Sequence, residues 1–291
     1  MLEFIDSQLS SWPLARANYQ ALGKTERRSF EIGDLRVGVQ FNPARIVSTG
    51  ARIDAVSLAA RPCFLCSENR PPEQTPVDIV EGWQLLLNPY PIFPTHFTIA
   101  SSVHRPQEGI PLDMVEMAEK LPGMTVFFNG RHAGASCPDH LHCQAVMTHE
   151  LPLMCLIEER HKLLSSETSG MRVATAVDLG LDSPVGFVSV IVTPDMDGMR
   201  QLARIEETIG KKYIEEGLVN IFVWKDSVGI LRIVGVPRKA HRPSSYGTGI
   251  GQYLVSPGSI DMAGVIITPR RDDFESLTID DIRRIYSEVG I

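Results

Sequence analysis

The alternation of apolar and polar positions changes period several times along the chain. Leu2, Ile5, Leu9, Trp12, Ala15 and Tyr19 recur at helical spacing, interrupted by Pro13, and predict a helical preface over 1–29. From Phe30 the period falls to two. Phe30, Ile32, Leu35, Val37, Val39 and Phe41 predict a hairpin turned at Gly33-Asp34. Residues 60–76 are rich in Pro and Cys, poor in periodicity, and predict a knuckle or loop. Strands are predicted over 83–87, 96–100, 124–128 and 140–147, with an amphipathic helix over 112–121 stopped by Pro122-Gly123.

The second half has a similar grammar: a strand over 186–192, one long helix over 199–216, and strands over 218–224 and 230–236 around Asp226-Ser227. Two further strands are predicted over 251–255 and 262–267, and a closing helix over 278–289 with Thr278 as N-cap. The expected organisation is a helical segment (1–29), a first half (30–150), a connecting segment (151–185) and a second half (186–291). Thr168-Ser-Gly-Met171 and Leu181-Asp-Ser-Pro184 mark loops in the connector. The fold class is α+β, each half an antiparallel sheet with one main helix.

Composition narrows the functional classes. Of 291 residues 43% are hydrophobic, enough for a sizeable core, and the net charge of −7 excludes a broad basic groove for nucleic acid or an anionic membrane surface. A small basic pocket for a phosphorylated ligand is still compatible. No run approaches the ~20 apolar residues of a membrane span. The acidic start MLEFIDSQLSSW lacks the basic and apolar regions of a signal peptide. Five cysteines, an odd number with one C-x-x-C, suit a reducing compartment, and the cytoplasm is the expected location.

In the run His140-Leu141-His142-Cys143-Gln144, alternation puts His140, His142 and Gln144 on one face and Leu141, Cys143 and Ala145 toward the core. Two imidazoles and an amide in a row suit a site, although a solvated sheet face would also carry them. Cys63-Phe-Leu-Cys66 has the spacing at which two thiolates grip one tetrahedral Zn²⁺. A redox pair or two buried free thiols are the competing readings, and the Pro-rich flanks argue against a redox helix start. His96, His104 and the cluster Arg238, Lys239, His241 and Arg242 have bland readings as surface or structural residues. A phosphate clamp is the functional reading of that last cluster.

Taken in order, C-x-x-C, Asn88-Pro-Tyr-Pro-Ile-Phe-Pro-Thr-His96, a trailing His104, the Asn129-Gly130 loop and H-x-H-x-Q resemble the histidine-triad superfamily. The branch resembled is that of galactose-1-phosphate uridylyltransferase, which includes the dinucleoside-tetraphosphate phosphorylases and the GDP-hexose phosphorylases. The resemblance is clear over 37–150 and weaker over 218–270. It implies two histidine-triad-like half-domains. His142 would be the nucleophile and Gln144 the amide that contacts the transferred phosphoryl group. Ser136 and Cys137 would lie in the phosphate loop, although GASCPDH is one residue longer than the usual pattern. Asn88 would contact the ribose, Asn129 would help hold the site, and Arg45 would approach the phosphates. Cys63, Cys66, His104 and His140 match a structural zinc set, with iron the alternative metal.

The implied activity is nucleotidyl transfer from a nucleoside-diphosphate sugar or dinucleoside polyphosphate, through nucleotidyl-His142, to inorganic phosphate or a sugar phosphate. A hydrolase of the same superfamily and a non-catalytic nucleotide-binding module are the alternatives. The implied assembly is a homodimer, without nucleic-acid or membrane partners. Residue chemistry is in keeping with transfer: a neutral imidazole is a competent nucleophile near pH 7, and Gln144 can donate hydrogen bonds without acting as a base toward water.

Overall fold

The computed structural model describes residues 1–51, 54–164, 172–192 and 197–291. Strands β1 (Glu26–Ile32) and β2 (Leu35–Phe41) form the predicted hairpin, with Ile32 opposite Leu35. However, β1 starts at Glu26, inside the segment 1–29 expected to be helical, because Glu26 to Ser29 pair with Phe41 to Gly38. Next come β3 (Val77–Val80), β4 (Trp83–Leu87), β5 (His96–Ser101), β6 (Met124–Asn129) and β7 (His142–Met147). The remaining strands are β8 (Arg172–Thr175), β9 (Val188–Val192), β10 (Val219–Lys225), β11 (Leu231–Pro237) and β12 (Val265–Thr268).

Nine of these strands make one sheet in the order β3-β4-β5-β7-β6-β10-β11-β9-β8. Strands from the first half (β3 to β7) join strands from the connector (β8) and the second half (β9 to β11) along the antiparallel β6–β10 pair. Both central strands are buried along almost their whole length, because both faces of the sheet are covered. On one face Trp83, Val126, Phe128, Ile221 and Val223 pack under the N-terminal helices and the helices Met114–Lys120 and Gly198–Ile209. On the other, Phe127 and Phe222 stand opposite each other with ring centroids 6.3 Å apart. Such an aromatic pair adds about 0.5–1.5 kcal/mol beyond its buried area. This second face is covered by the helices Pro152–Leu164 and Ile279–Val289 and by a small sheet in which β12 pairs in parallel with β2. The N-terminal hairpin is therefore completed by a strand from the C-terminal part of the chain.

Several elements differ from the sequence expectation. The segment 151–185 holds the helix Pro152–Leu164 and strand β8, whereas Thr168-Ser-Gly-Met171 lies outside the described residues. The helix expected over 199–216 divides at Gly210, whose φ of 102° no L-residue adopts easily, into Gly198–Ile209 and Lys211–Glu215. Residues 251–255 make only an isolated bridge between Tyr246 and Tyr253. The strand expected over 262–267 is preceded by a helical turn, Ser259–Met262, and runs instead from Val265 to Thr268. Among the described residues no helix is long and apolar enough to cross a membrane.

Candidate active site

A cavity of about 410 Å³ opens where the β5, β7 and β6 strand ends meet residues 241–261 of the second half. Its wall includes Arg45, Asn88, Asn129, Ser136, Cys137, His142 and Gln144, seven of the residues singled out from sequence. Alternation explains the central pair. Leu141, Cys143 and Ala145 enter the core under the N-terminal helices, so His142 and Gln144 face the other way, into the cavity.

The tautomer of His142 follows from its partners. Nδ1 lies 2.8 Å from the carbonyl oxygen of His140, which can only accept, so Nδ1 carries the proton. Burial pushes the imidazole below the ordinary histidine range, which keeps it neutral near pH 7. Nε2 is then a lone pair, and it takes no hydrogen bond among the described residues.

Gln144 is oriented by a relay that the sequence reading missed, having left His96 as a structural residue. The Ile92 N–H donates to His96 Nδ1 at 3.1 Å. Nε2 of His96 must then carry the hydrogen and donate to Gln144 Oε1, 2.9 Å away. His96 is fully buried, and burial, reinforced by the charge of Arg45, pushes its pKa down to about 3. The relay therefore stays neutral, and the Gln144 NH₂ group is the end left for the cavity. Loop 90–92 is gripped in turn from β2 and the turn after it: Gln40 donates to the Ile92 carbonyl, Asn42 to that of Pro91, and Arg45 to that of Tyr90 at 2.6 Å. The register Thr98 opposite Gln144 would have placed His96 near this amide, had strand pairing been known.

The other predicted residues divide between cavity and knuckle. Asn88 accepts from the Tyr90 N–H and donates to Thr98 Oγ1. Ser136 is half-buried on the wall. Cys137 is buried, with its thiol donating to Asp139 and packed beside Cys63. Cys63, Cys66, His104 and His140 come together although the last two lie far along the chain: their donor atoms all fall within 4.8 Å of one another. Cys63 Sγ is 3.3 Å from His140 Nδ1, and Cys66 Sγ is 3.2 Å from His104 Nδ1 and 3.6 Å from His140 Nδ1. Ligands on a tetrahedral zinc with ~2.3 Å and ~2.0 Å arms stand about 3.3–3.8 Å apart, so the set fits such an ion. His140 Nε2 donates to the Ser101 carbonyl at 2.8 Å, which leaves the Nδ1 lone pair toward the thiols.

Asn129 is held by the second half. Its Oδ1 accepts from the Ser259 N–H at 2.7 Å, the Ser259 hydroxyl at 2.8 Å and Asn220 Nδ2 at 3.0 Å. Behind Asn220 lies Arg238, fully buried, with Nη1 donating to Asn220 Oδ1 and its other nitrogens to the carbonyls of Val289, Ala240 and Pro257. Neither reading of Arg238 from sequence, phosphate clamp or solvated loop residue, matches this interior role. Its neighbours His241 and Arg242 do line the cavity. Gly134, at φ 96°, lets the 134–137 loop touch Gly258, and a side chain there would overlap the Gly258 backbone. Asp261 also lines the cavity, and burial pushes its carboxyl up to about 6.

A family model described as a domain of unknown function, DUF4922, matches residues 4–147. No curated protein matches the chain in sequence. Among solved structures, the chain is similar to yeast Ap4A phosphorylase Apa2 in complex with Ap4A: 17% identity, TM-score 0.60, with 96% of each chain covered. It is also similar to the same yeast enzyme in a structure with no complex named, at 18% identity and TM-score 0.59, again with 96% of each chain covered. The fold is thus similar to that of the yeast phosphorylase over almost the whole chain.

Proposed function

We propose that the protein is a nucleotidyltransferase that moves a nucleoside monophosphate from a nucleoside-diphosphate sugar or dinucleoside polyphosphate onto His142, then to inorganic phosphate or a sugar phosphate. The observation that carries this reading is the state of His142: buried, neutral, its Nδ1 proton fixed on the His140 carbonyl and its Nε2 lone pair on a nucleotide-sized cavity. In the first step Nε2 forms a bond to the α-phosphorus. The phosphorus–oxygen bond to the rest of the donor breaks, and its electron pair leaves with a phosphate. The positive charge that develops on the ring is shared with the His140 carbonyl. In the second step an acceptor phosphate oxygen attacks, the phosphorus–nitrogen bond breaks, and neutral His142 returns.

The other residues supply charge and orientation. The Gln144 NH₂ donates to a non-bridging oxygen, and Arg45, Arg242 and the Ser136 hydroxyl oppose the remaining charge. Asn88 takes the ribose, as the motif resemblance implies, and Cys137 serves through its place in the loop. Gln144 in the third position favours a phosphate acceptor over water. The donor class finds support in the yeast phosphorylase of like fold, whose structures carry Ap4A and AMP. Cys63, Cys66, His104 and His140 would hold zinc, or iron in its place. With four protein ligands such an ion cross-links the knuckle to the strand start and has no open position for chemistry.

Intact-protein mass after mixing with a panel of NDP-sugars and dinucleoside polyphosphates tests the proposal. The expected result is a gain of one nucleoside monophosphate, absent in His142→Ala. No gain with any donor, on folded protein loaded with metal, would remove the covalent mechanism.

A further inference from the structure

Strands β6 and β7 pair from Met124 opposite Met147 to Phe127 opposite Gln144, and there the ladder stops. Continued in the same register, it would bring Asn129 opposite His142. That rung is occupied instead by a side chain from outside the sheet. Gln107 is 1% exposed, belongs to no helix or strand, and does not line the cavity. Its Oε1 accepts from the His142 N–H at 2.8 Å. Its Nε2 donates to the His142 carbonyl at 2.9 Å and to the Asn129 carbonyl at 2.8 Å. Its own N–H donates to the Pro138 carbonyl at 3.0 Å, at the end of the cavity loop. One amide thus does what two backbone groups would do in a closed ladder, and it keeps the ends of β6 and β7 apart where the cavity opens.

We infer that Gln107 is a positioning residue for His142: inserted between the strands, it sets where the backbone of His142 lies and so where Nε2 points. The inference rests on the proposed role of His142. It deepens that role by naming what holds the nucleophile from behind. Without the amide the two strand ends would pair directly, or leave buried backbone groups unpartnered, and either change displaces the imidazole from the His140 carbonyl.

Gln107→Met keeps the volume and removes both hydrogen-bonding atoms. The rate of nucleotidyl-His142 formation should fall about 100-fold, the scale of a 1 Å misplacement of a reacting group, while affinity for the matching nucleoside monophosphate stays within about threefold. An adduct rate within about threefold of wild type would overturn the inference. Gln107→Glu gives a second readout that a loss of folding cannot imitate. Its ionised carboxylate accepts from His142 but presents an oxygen to two carbonyls, whereas the protonated acid can donate to one of them. The ratio of variant to wild-type rate should therefore rise as pH is lowered from about 8 to about 6, and a flat ratio would count against positioning. If wild-type protein forms no adduct, ¹⁵N spectra of the His142 ring still decide. Loss of the single Nδ1-protonated tautomer in Gln107→Met supports the role, and an unchanged tautomer removes it.

Discussion

The two halves of the long sheet meet at β6 and β10, yet the pair His142 and Gln144 on one side and the pair Asn220 and Arg238 on the other are used in opposite ways. In the first half His142 and Gln144 each spend one end on the protein and turn the other, Nε2 in both cases, into the cavity. In the second half Arg238 and Asn220 spend every heavy donor and acceptor on neighbours in the interior. A fully partnered buried group contributes rigidity and no chemistry, whereas a half-partnered one at a cavity wall is oriented and still reactive. Asn129 is the joint between them: its Oδ1 is held by the second half, and it stands on the cavity wall with His142.

Substitutions in the two halves should therefore separate rate from stability. Gln144→Leu removes the amide donor that faces the cavity and, on the proposed function, should lower the adduct rate by about 10²–10³-fold, the usual loss for one preorganised donor. Urea unfolding of that variant should show a loss of about 1–3 kcal/mol, because Leu leaves the buried Nε2–H of His96 without its acceptor. A loss of stability larger than the loss of rate would break the contrast. Arg238→Met should do the reverse. It strands one amide oxygen and three carbonyls, and should cost about 2–4 kcal/mol of unfolding free energy, read in the same titration, with at most about a tenfold loss in rate per folded molecule.

The four-donor cluster lies between these extremes, since His140 faces the thiols with its ring and holds His142 Nδ1 with its carbonyl. Cys66→Ser should take elemental analysis from about one zinc or iron per chain to near zero, and lower the adduct rate about tenfold, a typical effect of support around a site. Full metal content in the variant would exclude Cys66 as a ligand. A normal adduct rate in metal-free protein would show that the cluster does not act on His142.

Sequence made the first half far more legible than the second. The period-two run 140–147 fixes which side chains leave the core. The spaced thiols and imidazoles state a chemistry that needs no knowledge of the fold. Gln107 left no such signal, since its role is defined by a ladder rung that fails to form. Arg238 sits in VPRKAHRP, a polar run that reads as surface until residues 257 and 289 are seen to cover it. The helix Pro152–Leu164, inside the segment expected to be a connector, has its own signal in Pro at the first position followed by an apolar run. Gly210 shows the converse: one residue in a left-handed conformation ends a periodic run that composition alone would continue.

The smallest expected effect concerns protons. Burial holds His96 and His241 at about 3, so between that value and the ordinary 6.5 the unfolded chain binds protons that the folded protein does not, and stability falls as pH falls. Asp261 has the opposite sign. Its carboxyl is pushed up to about 6, so between 3.8 and that value the folded protein holds a proton that the unfolded chain releases. Near pH 5 these two histidines outweigh the one carboxylic acid, and His142, which burial also holds below the ordinary range, adds to their side, so the net effect is stability lost as pH falls. Asp261→Asn removes the opposing group and should steepen the acid side of the stability curve by about one proton, about 1.4 kcal/mol per pH unit, with little change above about pH 7. An unchanged slope would mean that the Asp261 carboxylate stays ionised. In that case Arg45 and Arg238, whose charges oppose the effect of burial, would govern its state, and the second half would present a fixed negative charge to the cavity.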